Sequence, residues 1–172
     1  MAQNSPQPRL VDPARLARSR ARARLDLAGF LHDEAKAELQ ERLIDVNRRF
    51  TAPALVTAFP AYWADLAPSA RIVAPDEVLD LTPGAHDLVI HAMALHWADD
   101  PVGQIVQCRR ALRPDGLFLS AAFGGETLVE LRAALAQAET EVMGGLSPRV
   151  APMAEIRDMG ALLQRAGLAL PV

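Results

Sequence analysis

Only one cysteine, one lysine and one tyrosine stand in 172 residues. The single thiol, Cys108, excludes an intrachain disulfide and fits a reducing compartment, so a cytoplasmic protein is expected. Lys36 is the sole lysine against seventeen arginines, which with the high alanine content reads as genomic base composition and not as mechanism. No apolar run approaches the roughly 18 residues of a membrane span. The N-terminus lacks the apolar core of a signal peptide. A net charge of -3 gives no general case for nucleic acid. Glycine is missing from every position between Gly29 and Gly84, so that interval carries no glycine-rich turn. Against these absences, 51% of the residues are hydrophobic. One ordinary domain with a core is feasible, and two comfortable ones are not.

Residues 1–12 read as a polar, proline-containing tail, and 13–50 as helix in two pieces jointed at Gly29. In the second piece Ala35, Leu39, Leu43, Val46 and Phe50 share one face, with Asp33, Glu34, Glu38 and Glu41 opposite. The first piece carries Arg15, Arg18, Arg20, Arg22 and Arg24, an exposed helix face or a contact for an acidic protein or carrier-protein partner. Short strands are expected at 52–60 and 70–74, with a turn or short helix at 61–67 between them. The apolar run 86–95 is the best strand, dense enough for a sheet covered on both faces. A helix over 101–112 starts at Pro101 under an Asp99 or Asp100 cap. The Arg-Pro-Asp-Gly turn at 113–116 leads to a strand at 117–123. Helices at about 126–142 and within 153–167 follow.

Strand, helix, turn, strand, helix is the pattern of a parallel sheet, and such sheets bind ligands at the carboxyl ends of their strands. His96 and Trp97 follow one such end; Phe123, Gly124 and Gly125 close the next. His86, His91 and His96 are spaced by five, but that spacing alternates faces on an extended strand, so no metal site is read from them.

The stretches "FLHDEAKAELQERLIDVNRRF", "DLVIHAMALHWADDPVGQIVQCRRALRPDGLFLSAAFGGETLVELRAAL" and "GGLSPRVAPMAEIRDMGALLQRAG" resemble the class I S-adenosylmethionine (SAM)-dependent methyltransferases. The nearer resemblance is to methyltransferase-like proteins that assist assembly of respiratory complex I and to their bacterial relatives. A more distant one is to the biotin-pathway methyltransferase acting on malonyl carrier protein. The resemblance implies an α/β fold, an incomplete Rossmann-like class I arrangement with a mostly parallel sheet and N-terminal helices. It divides the chain into a tail and helical cap at 1–50 and a shortened α/β domain at 51–172. The strands near Asp87 and Leu117 would be the fourth and fifth of the family core. SAM is the implied cofactor, with Ala94, Leu95 and His96 beside the sulfonium and adenosine, Trp97 shaping the pocket, and Asp76 and Glu77 beside the adenine. His96 is the implied acid-base or acceptor-orienting residue, Arg149 and Arg157 lie toward the acceptor, and the helix beginning at 126–132 roofs it.

This chain departs from that pattern after its first strand. "TAPALVTAFPAYWADLAPSARIV" holds neither the family's glycine turn nor a clear second-strand acid, and the interval from Phe50 to Asp87 is short by roughly a strand and a helix. Methyl transfer needs alignment and water exclusion more than a catalytic triad. The expectation is therefore a SAM-dependent methyltransferase-like protein of unspecified acceptor, or a non-catalytic relative that binds a partner or acts in assembly. A hydroxylase reading rests only on the breadth of the family.

Overall fold

The computed structural model describes residues 9–24, 28–147, 149–151, 153–169 and 171. Its centre is a four-stranded parallel sheet of order β2-β1-β3-β4, with β1 at Pro53–Thr57, β2 at Arg71–Val73, β3 at His86–Ala92 and β4 at Leu112–Ala121. All seven residues of β3 are buried. Its even-numbered side chains, Leu88, Ile90 and Ala92, join Leu55, Trp63 and Leu39 on one face. Val89 joins Ala54, Val56, Cys108 and Ala111 on the other. This double coverage is why the strand reads as an apolar run without alternation. Each Leu, Ile or Val among them contributes about 1.5–3 kcal/mol when fully buried.

The helices are α1 (Pro13–Ala23), α2 (Phe30–Val46), α3 (Pro60–Trp63), α4 (Pro101–Ala111), α5 (Val129–Met143) and α6 (Ile156–Arg165). None is long and apolar enough to cross a membrane. Gly29 is the N-cap of α2, as the jointed-helix reading requires. Helix α2 supplies Leu39 to the main core, with Ala35, Leu43 and Phe50 packed beside it. Val46 departs from the expected face. It is 42% exposed because the helix ends there, and Asn47 takes a left-handed conformation. Only β2, the four-residue α3 and a 3-10 turn at Ala64–Leu66 lie between β1 and β3, in line with the short interval in the sequence. The expected strand at 86–95 stops at Ala92, where Met93 turns the chain with φ 50.

The Arg-Pro-Asp-Gly turn appears as a bulge inside β4. Leu112 lies opposite His86 and Leu117 opposite Leu88, leaving 113–116 to bulge against Asp87 alone. Asp115 has φ 62, and a Cβ on Gly116 would meet Leu112 Cδ2 at 2.9 Å. Arg48 holds the bulge by donating to the Asp115 carbonyl at 2.6 Å. Sheet edges fall at β2 and β4, and among the described residues no strand covers the outer side of β4. Helix α5 contributes no buried residue.

Two polar groups of β3 organise its ends. At the incoming end the Asp87 carboxylate accepts from the Thr51 N–H (2.6 Å), the Thr51 hydroxyl (2.9 Å) and the Ala52 N–H (3.0 Å). Burial alone would raise its pKa; these hydrogen bonds, led by the Thr51 N–H, outweigh it and hold the carboxyl below its usual value. Near the outgoing end the fully buried His91 donates from Nε2 to Gln104 Oε1 at 2.9 Å. Gln104 Nε2 in turn donates to the Asp76 carbonyl at 2.9 Å. Burial pushes His91 down to about 4, opposed by its bond to Gln104. The three evenly spaced histidines do not converge: His86 faces the Ala52 carbonyl, His91 faces α4, and His96 lies beyond the strand.

Two predictions follow from these ends. Asp87→Asn lowers folding stability by about 1–3 kcal/mol at pH 7, since the Thr51 and Ala52 donors lose a charged acceptor. Because the folded pKa is depressed, this contribution is present above about pH 3.9 and fades as pH falls through the folded value, so the gap to wild type narrows in acid. Urea unfolding at pH 7 and pH 3 reads both effects. His91 gives its own acid response. It is neutral when folded and has an ordinary value of 6.5 when unfolded, so the unfolded chain binds the extra proton and stability drops as pH falls from 6.5 toward 4. His91→Gln shallows that drop in urea midpoint; an unchanged slope would refute the assignment.

Candidate functional site

The outgoing ends of β1 and β3 open beneath α1. Asp12 caps this helix by accepting from the Ala14 and Arg15 N–H groups, and Pro13 pre-sets its first turn. Leu16, Arg20 and Ala23 recur at helical spacing and face the sheet edge; Arg15, Arg18 and Arg22 stay exposed. Two links fasten the segment. Asp99 accepts from the Leu10 N–H (2.8 Å) and the Val11 N–H (3.1 Å), and Arg24 donates to the Ala58 carbonyl at 2.8 Å. Asp99 therefore holds the strap, while Asp100 caps α4 by accepting from the Gly103 N–H at 2.8 Å. The sequence placed a loose tail here, and residues 9–12 belong to the roof of the site. The only signal was the sparse Val11, Leu16, Ala23 spacing, masked by the arginines around it.

Two adjoining cavities lie under this roof. The smaller, about 240 Å³, runs between Asp76, Glu77, Trp97 and the start of α4. The larger, about 610 Å³, is bounded by Ala58 and Phe59 at the β1 exit, Met93 at the β3 exit, Trp97, and Val150 and Ala151. Arg9, Val11, Leu16, Arg20 and Trp97 border both. The larger volume is of small-ligand size. Gln104 and Gln107 fix the loop between the smaller cavity and β2, through the carbonyls of Asp76 (2.9 Å) and Glu77 (3.0 Å). Met93 spends left-handed backbone strain at the β3 exit, where it also lines the larger cavity.

The expected site residues divide. Asp76, Glu77 and Trp97 come together on the smaller cavity. Ala94 and Leu95 are 1% and 2% exposed, and Leu95 packs against Ile105 and Ala166 in the core, so they form the floor beneath the exit without facing the cleft. His96 braces the two strand exits: its Nδ1 accepts from the Phe123 N–H at 3.3 Å, and its ring lies 4.7 Å from that of Phe123 and 5.2 Å from that of Trp97. Burial, followed by the charges of Arg20, His91 and His32, holds His96 down to about 4. It is thus neutral at pH 7, with its proton on Nε2. Arg149 borders the larger cavity and also pairs with Glu139. Arg157 is exposed on α6. The helix expected from 126 begins at Val129, after a turn in which Thr127 bonds to the Gly124 carbonyl.

A model of the methyltransferase domain matches residues 41–120, from within α2 through β4. Mouse and human proteins described as arginine-hydroxylase NDUFAF5, mitochondrial, are 44% and 43% identical over 100 residues, 58% of this chain and 29% of each relative. A malonyl-[acyl-carrier protein] O-methyltransferase of Laribacter hongkongensis is 37% identical over 103 residues, 60% of this chain and 33% of that protein. The chain thus spans about a third or less of the length of these curated relatives. In fold it is similar to a Thermotoga maritima SAM-dependent methyltransferase, possible histamine N-methyltransferase, with a TM-score of 0.56 and 13% identity over 89% of this chain and 78% of that one. Parallel strand order and matched sequence point the same way: the fold is similar to that of a SAM-dependent methyltransferase, and nearly half of the chain matches the methyltransferase-domain model.

Proposed function

We propose that this protein binds SAM in the cleft beneath α1 and presents its methyl group to an acceptor carried by another protein. The observation that carries the reading is the pair of joined cavities at the outgoing edge of β1 and β3, where parallel sheets take ligands. The residues there suit a nucleoside. Trp97 offers a ring face and edge, and Asp76 and Glu77 offer carboxylates to an exocyclic amine. When bound, the cofactor supplies an electrophilic methyl on a positively charged sulfur. The chain's own part is to orient and to exclude water, with Phe59, Met93, Val150 and Ala151 as apolar walls. His96 enters as a positioning group, because its Nδ1 is occupied by the Phe123 N–H and its ring is a weak base. The malonyl-[acyl-carrier protein] O-methyltransferase relative favours a carrier-bound acyl acceptor. The exposed Arg15, Arg18 and Arg22 of α1 form a surface that an acidic carrier protein would complement.

A second reading is a non-catalytic, partner-binding or assembly role. One observation favours it: residues 57–60 at the β1 exit contain no glycine and run straight into Pro60 of α3. Isothermal titration with SAM and S-adenosylhomocysteine separates the two. The enzyme reading expects saturable micromolar binding, weakened about tenfold by Trp97→Ala if a base stacks there. Absence of heat and of thermal stabilisation at millimolar ligand removes it in favour of the second.

A further inference from the structure

Resting on the reading that the cleft takes SAM, we infer that Arg20 is a cofactor-binding residue whose guanidinium anchors the α-carboxylate of the cofactor's amino-acid end. In this chain that anchor stands where a glycine turn would otherwise offer backbone donors.

Two positions of the β1 exit do not supply those donors. The Phe59 N–H is taken by Thr57 Oγ1 at 3.2 Å, and Pro60 has no N–H. The Ala58 carbonyl is occupied by Arg24. One helical turn before Arg24, Arg20 borders both cavities. The other arginines around the larger cavity already face carboxylates: Arg9 faces Glu77, Arg15 faces Asp12, and Arg149 faces Glu139. Among the described residues the Arg20 guanidinium alone of this set has neither an ion pair nor a hydrogen-bond partner. It is also only half-exposed, and burial draws its pKa down while Asp76 opposes the shift from beyond ion-pair contact. A partly desolvated guanidinium without a partner is costly, and a planar carboxylate accepting two parallel N–H bonds is the group that relieves it. The rest of the larger cavity is apolar, which suits the aliphatic arm between a sulfur and a carboxylate. A ligand reaching Arg20 there can keep its base by Trp97 and Asp76, since the two cavities share that border.

The test compares two nucleoside thioethers by titration calorimetry and thermal shift on the full chain. S-adenosylhomocysteine carries the amino-acid end; 5′-methylthioadenosine lacks it. Wild type is expected to bind the first at least about tenfold more tightly. Arg20→Ala and Arg20→Gln should each lose about tenfold for S-adenosylhomocysteine, with 5′-methylthioadenosine unchanged within about twofold, and Arg20→Lys should recover part of the loss. Arg20→Gln keeps the aliphatic stem, so its result stands if the alanine variant folds poorly. Equal weakening of both ligands, no weakening of either, or equal wild-type affinity for the two overturns the assignment while leaving the SAM reading in place. Failure of wild type to bind either ligand overturns both.

Discussion

Enclosure of β3 is the constraint on which the other features depend. It is flanked by β1 and β4 and covered on both faces, so every side chain on it must be apolar or have a polar partner. The three ionisable ones near its ends each have one, His86 meeting the Ala52 carbonyl. Asp87 gathers the start of β1 through Thr51 and Ala52, and His91 reaches α4 through Gln104. From Gln104 the same chain of bonds passes to the Asp76 backbone, so the strand that forms the core also fixes the loop bordering the cleft. Once β3 leaves the sheet, Met93 adopts a left-handed turn, and within five residues the chain goes from full burial to Trp97 at 37% exposure.

That transition was legible in the sequence. An apolar run ending in His96 and Trp97 reads as a covered strand meeting a ligand edge, and the run's composition fixes both coverage and direction once a helix follows. The α2 face and the Pro101 start of α4 were equally plain, because helical spacing and capping are local. Two things were not. The end of β3 at Ala92 depends on a backbone turn at Met93, a residue with no turn signature. The docking of 9–24 depends on single hydrogen bonds across about ninety positions, such as Leu10 to Asp99. Nothing in the local pattern distinguishes an aspartate that holds a strap from one that caps a helix, and Asp99 and Asp100 sit side by side. The family resemblance placed Leu95 beside the cofactor, but the tight turn after Met93 directs it into the core with Ile105.

The site is built on borrowed parts. The methyltransferases that this chain resembles carry a glycine-rich turn after their first strand. Here the corresponding turn is filled by Phe59 and Pro60 and clamped by Arg24, and the approach is lined by a helix from before the sheet. A roof of this kind trades a rigid, backbone-built cradle for long side chains on a helix fastened at two points. Ordering such side chains around any ligand costs entropy that a backbone-built cradle does not.

The open flank of β4 has a consequence outside ligand chemistry. The charge, proline and bulge by which edge strands discourage lateral growth are confined to 113–116, and residues 117–121 carry none of them. Among the described residues no strand pairs with that side, and an uncovered strand edge is a template for an added extended segment.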